Sequence, residues 1–242
     1  MTTLRAHDRP QPAPGPRPEY PPRLDSGDRM DSDTFLEIYQ QMPEGFRAEL
    51  IQGVVLVASP MTADHGAPLT RVAAWAFAYQ ARTPGVESFT DTTIRLGPKN
   101  SPEPDVSLMI GPEHGGQARI EDHDIVGAPE LVVEVSYSSR SVDLSDKLAS
   151  YETAGVRDYV VVLVRDAEVR WHALRDGRFE RQAPGEDGLH RSAAFPGLWL
   201  DGEALLKGDA ARIFAAVERG TATPEHAAFV ARLAAARAST EG

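Results

Sequence analysis

Two acids and one lysine stand out as groups that could do chemistry. Glu134 interrupts Leu131-Val132-Val133-Glu134-Val135, a run that otherwise has the composition of core. Carboxylates are rarely buried unless they are paired or hold a metal. Asp105, in Pro104-Asp105-Val106-Ser107-Leu108, opens a second apolar run. Each has a plainer reading: Glu134 as a strand acid bonded to an arginine or a backbone amide, Asp105 as a Pro-Asp turn. If the two strands are neighbours, the carboxylates converge and offer the hard oxygen ligands that octahedral Mg²⁺ or Mn²⁺ takes. Lys147 follows Leu144 by three residues and precedes Tyr151 by four, on a helix whose inward stripe reads Leu144, Leu148 and Tyr151. That spacing puts it on the flank of the stripe, either sharing the buried side or pairing with Asp143 at i,i+4 on the surface. His65 opens a helix beside Asp64, as a substrate contact or as a cap. Arg140, in Ser138-Ser139-Arg140-Ser141 just beyond Glu134, either holds a phosphate or is a solvated loop arginine.

The elements that must position these groups follow from periodicity. A short helix is expected from Ser32, with Phe35, Leu36, Ile38 and Tyr39 apolar, ending near Pro43-Glu44-Gly45. Residues 47–51 and 54–57, split by Gln52-Gly53, read as a hairpin. Leu69, Val72, Ala73, Ala76 and Phe77 recur at helical spacing across 64–82. Strands are expected near 86–90, 92–96, 105–110, 130–136 and 158–164, with one helix over 142–154. The last two strands are nearly continuous in β-branched residues and read as central strands covered on both faces. Hairpins are expected over 168–174, 178–182 and 189–193, with closure near Leu198-Trp199-Leu200. Two helices follow from Asp209, the second capped by Thr223 with Pro224 at its first position.

The domain division expected is a Pro-rich, disordered arm over 1–28, a main domain over 29–205 and a helical extension over 206–242. The arm holds Pro10, Pro12, Pro14, Pro16, Pro18, Pro21 and Pro22 and almost no aliphatic side chain to offset its ordering entropy. The extension either packs on its own domain or forms a homodimer or partner contact. Cysteine is absent from the 242 residues, which removes disulfides, thiolate metal sites and cysteine nucleophiles. No apolar run is long enough to span a bilayer, and we expect a soluble, cytoplasmic protein without a membrane partner. The net charge of −11 argues against a generally basic coat, so any nucleic-acid contact must be local. Carboxylates gathered at a metal site add negative charge that the cation offsets. His-Glu-x-x-His, Gly-x-Ser-x-Gly and the Gly-rich phosphate loop are all missing.

In order and spacing these residues resemble the PD-(D/E)XK nuclease superfamily, in its Uma-two branch of restriction-endonuclease-like proteins, over about residues 30–205. The pieces are Glu49-Leu50-Ile51-Gln52-Gly53, Met61 to His65, Pro104-Asp105-Val106, Ala128 to Ser136, Asp143 to Lys147, Tyr151, Gly155-Val156 and Asp158-Tyr159. No single piece is specific; their succession is. The resemblance implies an α/β (α+β) fold with a restriction-endonuclease-like αβββαβ core, a central mixed sheet flanked by helices and β-hairpin extensions. It implies Mg²⁺ or Mn²⁺ on Asp105 and Glu134, with the carbonyl of Val135 as a further ligand and Glu49 approaching the same site. Ser136 stands where the superfamily often has its lysine, and in this branch the lysine comes from the next helix, which points to Lys147 as the base or water-positioning group. Gln52 and Leu163 stand where this branch commonly has acids. The activity implied is phosphodiester hydrolysis by an endonuclease, with DNA as the expected nucleic-acid partner. A non-catalytic binding or interaction module on the same fold is the alternative, and a metal-dependent hydrolase of another substrate a third reading.

Overall fold

The computed structural model describes residues 22–137 and 139–240. The chain runs through α1 (Ser32–Tyr39), β1 (Ala48–Ile51), β2 (Val54–Val57), α2 (Ala63–Gln80), β3 (Val86–Thr90), β4 (Ile94–Arg95) and β5 (Val106–Ile110). After a 3-10 turn at Pro112–His114 come β6 (Arg119–Glu121), β7 (Asp124–Val126), β8 (Leu131–Ser136), α3 (Arg140–Asp143), α4 (Asp146–Ala154) and β9 (Asp158–Leu163). The remainder is β10 (Glu168–Arg175), β11 (Arg178–Gln182), β12 (Leu189–Arg191), β13 (Trp199–Asp201), α5 (Gly202–Lys207), α6 (Ala210–Thr221) and α7 (Pro224–Thr240).

A six-stranded sheet in the order β11-β10-β9-β8-β5-β3 organises the molecule. It is mixed: β8 and β9 are parallel, while β5 lies antiparallel to β8. Both β8 and β9 are buried along their whole length, as their unbroken apolar composition requires. Alternate residues feed two cores. Leu131, Val133, Val160, Val162 and Trp171 meet Val72, Trp75 and Tyr79 of α2 on one face. Val132, Tyr159 and Val161 meet Tyr151 of α4, with Ile94 and Ile125 of a small β4-β7-β6 sheet, on the other.

The β1–β2 hairpin turns at Gln52 (φ 52°) and Gly53 (φ 77°), two consecutive left-handed residues as a two-residue hairpin turn requires. It packs with α1 around Phe35, Leu50 and Val55. Leu24 belongs to the same cluster and is buried. The Gly27 N–H donates to Val55 O and the Val55 N–H to Asp28 O, so residues 22–28 are part of the hairpin's surroundings and not of a free arm. The rest of the expected arm, residues 1–21, lies outside the described residues.

Three further departures from the sequence expectations have local causes. The helix expected over 142–154 is two helices, α3 and α4. Ser145 leaves helical geometry (φ −127°, ψ −82°) and its hydroxyl donates to Ser141 O at 2.6 Å, a local bond that competes with helix continuation. Residues 112–128 form a 3-10 turn and the β6–β7 hairpin, whose three-residue strands are too short to leave a periodic signal. After β13 the chain makes α5 before the two expected helices. Ile213 and Val217 of α6 and Phe229 and Leu233 of α7 join the core formed by α2 and the sheet. Among the described residues no helix is long and apolar enough to cross a membrane.

Candidate active site

Strand order settles the central question left by the sequence. The antiparallel register pairs Val106 of β5 with Val133 of β8. Continued by one residue, it sets Asp105 across from Glu134, and cross-strand neighbours project on the same face. Pro102 and Pro104, which lack an N–H, precede Asp105, and β5 proper starts at Val106, directly after the acid. Its Oδ2 accepts the Val135 N–H at 2.6 Å and its Oδ1 contacts His65 Nε2 at 2.9 Å. Because one strand residue points its N–H and C=O to the same edge, the Val135 carbonyl also lies on the Asp105 side.

Glu134 is buried between β5 and β9, with Oε1 accepting from Lys147 Nζ and from the Tyr151 hydroxyl, each at 3.0 Å. Burial pushes its pKa well above the carboxylate range against the pull of Lys147. The break between α3 and α4 turns Lys147, Ser150 and Tyr151 inward as the buried face of α4. Lys147, with its side chain 6% exposed, reaches Glu49 Oε2 at 2.9 Å and Asp143 Oδ1 at 3.9 Å besides Glu134. The i,i+4 partner is therefore present, but buried. Desolvation works against the ammonium, yet Glu134, Glu49 and Asp143 outweigh it and raise its pKa, so Lys147 holds its proton.

Asp143 is buried, accepts the Ser139 hydroxyl at 2.5 Å through Oδ2, and has no hydrogen-bond partner on Oδ1 among the described residues. Burial raises its pKa as well. Its only mark in the sequence is the four-residue spacing to Lys147. Arg47 is a second group missed from the sequence, although it precedes Glu49 by two and so shares its strand face. Its guanidinium bonds Asp91 at 2.5 Å and lies 3.8 Å from Glu103. Arg47, Glu49, Glu103, Asp105, Glu134, Asp143 and Lys147 line one cleft of about 790 Å³, together with the exposed Ala58–Thr62 connector and His65 in the first turn of α2. The hydrogen bond to Asp105 raises the His65 pKa despite partial burial. Arg140 is not in this cleft; it sits on α3 with Nε 2.8 Å from Asp166.

Glu49, Glu134 and Asp143 thus surround one ammonium, with Asp105 beside Glu134 across the strands, leaving an excess of oxygen ligands and negative charge. Asp143 Oδ1, 3.9 Å from the ammonium and without a hydrogen bond among the described residues, belongs to that excess. Carboxylate oxygen is the ligand type that a hard divalent cation takes. Among the described residues no group of three or more His, Asp or Glu is arranged to hold a metal, so a cation here would rest on the Asp105–Glu134 pair and backbone oxygen.

A mixed sheet with helices on both sides, a hairpin beside it and acids on two adjacent strands is the architecture of a restriction-endonuclease-like α/β protein. The chain belongs to the Uma2 family, described as "Putative restriction endonuclease", which it matches over residues 33–203. A solved structure described as "a putative nuclease belonging to DUF820" from Anabaena variabilis superposes with a TM-score of 0.53 at 14% identity, covering 75% of this chain and 98% of that one. At that identity the likeness is one of fold. No curated protein matches the chain.

Proposed function

We propose that the protein is a Mg²⁺-dependent endonuclease that hydrolyses phosphodiester bonds of nucleic acid, DNA foremost, with Mn²⁺ able to replace Mg²⁺. The observation that carries this reading is the convergence of Asp105 and Glu134, one step beyond the Val106–Val133 pair, beside a buried lysine brought from a separate helix. Asp105, Glu134 and the Val135 carbonyl would hold the cation. When bound, it supplies Lewis-acid polarisation of the phosphoryl oxygen and acidifies its water.

The protein's own groups do the rest. The Val135 N–H and His65 orient Asp105, and the Tyr151 hydroxyl and Lys147 orient Glu134, so neither carboxylate has to reorganise when a ligand arrives. Lys147, protonated between Glu49 and Glu134, is a donor: its N–H groups position the attacking water and offset charge growing on the phosphoryl oxygens. This refines the base role that the resemblance implies for it. Glu49 fixes the ammonium from the hairpin side, and His65 can hand a hydrogen bond to substrate at the cleft mouth.

The test is incubation of purified protein with plasmid, linear duplex and single-stranded DNA in Mg²⁺, Mn²⁺ or EDTA, with Asp105→Asn, Glu134→Gln and Lys147→Met alongside. Cleavage should need the divalent ion and fall by about 10²-fold or more in each variant. Absence of cleavage by the wild type on every substrate would overturn the reading in favour of a non-catalytic binding module.

A further inference from the structure

The cleft that would receive a phosphodiester is itself acidic, carrying Glu49, Glu103, Asp105, Glu134 and Asp143. Its two permanent cations, Arg47 and Lys147, are already engaged by carboxylates. In a chain of net charge −11, counter-charge for the neighbouring phosphates of a strand must come from the rim of the cleft.

One rim feature supplies it. A second hollow of about 150 Å³ is lined by Ser136, Tyr137, Arg140, Leu163, Arg165 and Asp166. It lies beyond the C-terminal ends of β8 and β9, the parallel pair, which is where open α/β sheets bind ligands. Tyr137 lines both this hollow and the main cleft, so the two are neighbours. The Arg165 guanidinium lies over the Tyr137 ring, 4.3 Å from its centroid. Stacking occupies the face of a guanidinium and leaves the N–H donors on its edge available for oxyanion oxygens. Arg140 is held by Asp166 at 2.8 Å with both side chains about half exposed. Such pairs contribute little, so an arriving oxyanion can displace the carboxylate at small cost. The hollow has room for one tetrahedral oxyanion.

We propose that this hollow is a second phosphate subsite, in which Arg165 and Arg140 hold the backbone phosphate next along the strand from the one presented to Asp105 and Glu134. The proposal rests on the nuclease reading above. It assigns Arg165 a task that nothing in its sequence context marks, and it places the Arg140 contact one phosphate away from the chemistry.

The test is fluorescence anisotropy of a labelled duplex oligonucleotide, with Ca²⁺ in place of Mg²⁺ to hold back hydrolysis, across a salt series. The proteins are wild type, Arg165→Gln, Arg140→Gln and Arg178→Gln. The last removes the same charge from the β11 hairpin, where the Arg178 side chain is 83% exposed. Arg165→Gln and Arg140→Gln should each raise Kd by about tenfold, as expected for one charge-assisted contact. Each should lower the slope of log Kd against log salt by about 0.9, while Arg178→Gln moves neither. Melting temperatures confirm that each variant is folded. Hydrolysis of bis(4-nitrophenyl) phosphate by the wild type, one diester too short to span both hollows, reports on the catalytic reading separately. If the wild type binds oligonucleotide and Arg165→Gln behaves like Arg178→Gln, the subsite is wrong and the nuclease reading stands. Hydrolysis of the small diester without oligonucleotide binding also removes the subsite alone. Neither hydrolysis nor binding removes both.

Discussion

Replacing Lys147 by Met keeps most of the side-chain volume and removes one buried charge. The ammonium lies 2.9 Å from Glu49, 3.0 Å from Glu134 and 3.9 Å from Asp143, so three carboxylates lose the same cation. Removing one partner of a buried ion pair typically costs about 3–5 kcal/mol. Here proton uptake limits the loss: burial already pushes the Glu134 and Asp143 pKa values up, and without the ammonium they rise further. We therefore expect Lys147→Met to lose about 3 kcal/mol at pH 7.5 in EDTA, the low end of that range. The pH dependence follows from the direction of each shift. The lysine pKa is raised on folding, so its contribution is whole below the unfolded lysine pKa and does not vary between pH 5 and 8. The carboxyl groups are also raised on folding, so above the unfolded carboxylate pKa the folded state binds more protons than the unfolded one. Their stabilisation accordingly falls as pH rises, more steeply in the variant. The deficit should narrow at pH 5 and widen at pH 8. Urea unfolding followed by circular dichroism at pH 5, 7.5 and 8 measures it. A variant as stable as wild type at pH 7.5, or a deficit that grows on acidification, would refute the electrostatic argument. Adding Glu134→Gln to Lys147→Met should recover part of the loss, and strict additivity of the two would show that they do not interact.

Two further outcomes test the packing. Leu24→Ala should lower stability by about 2–5 kcal/mol, because Leu24 is buried against α1 and the hairpin; an unchanged melting temperature would return residues 22–28 to a free arm. Phe229→Ala should cost about 3–5 kcal/mol in a single cooperative transition, since α7 inserts this ring edge-to-face against Phe195 in the main core. A separate early transition for the tail helices would refute that packing.

Much of this protein is written locally. The Gln52-Gly53 turn, the helical spacing of α2, the two fully apolar strands β8 and β9, and the Thr223-Pro224 helix start are each legible from a few adjacent residues. Side-chain periodicity and turn chemistry act over that range. Asp105 and Glu134 are legible as candidates for the same reason, since each is an acid set into an apolar strand. What sequence could not supply is how distant elements meet. Apolar spacing sets Lys147 beside a stripe of Leu144, Leu148 and Tyr151, flanking or sharing the buried side. Apolar periodicity could not count the attraction of Glu49 and Glu134, two acids from other strands, which turns the lysine into the buried face. Asp143 is marked only by its spacing to Lys147 and Arg47 carries no local signal, because their surroundings in the cleft are built by residues far away in the chain. Arg140 looked close to Glu134 along the chain, yet α3 carries it to Asp166 beyond β9. Local sequence therefore specifies the longer elements and the types of group available for chemistry, while the α3–α4 break, the β6–β7 hairpin and α5 escape it. Strand order and register alone decided which of them face one another, because electrostatic convergence depends on distances through space that no short window of residues contains.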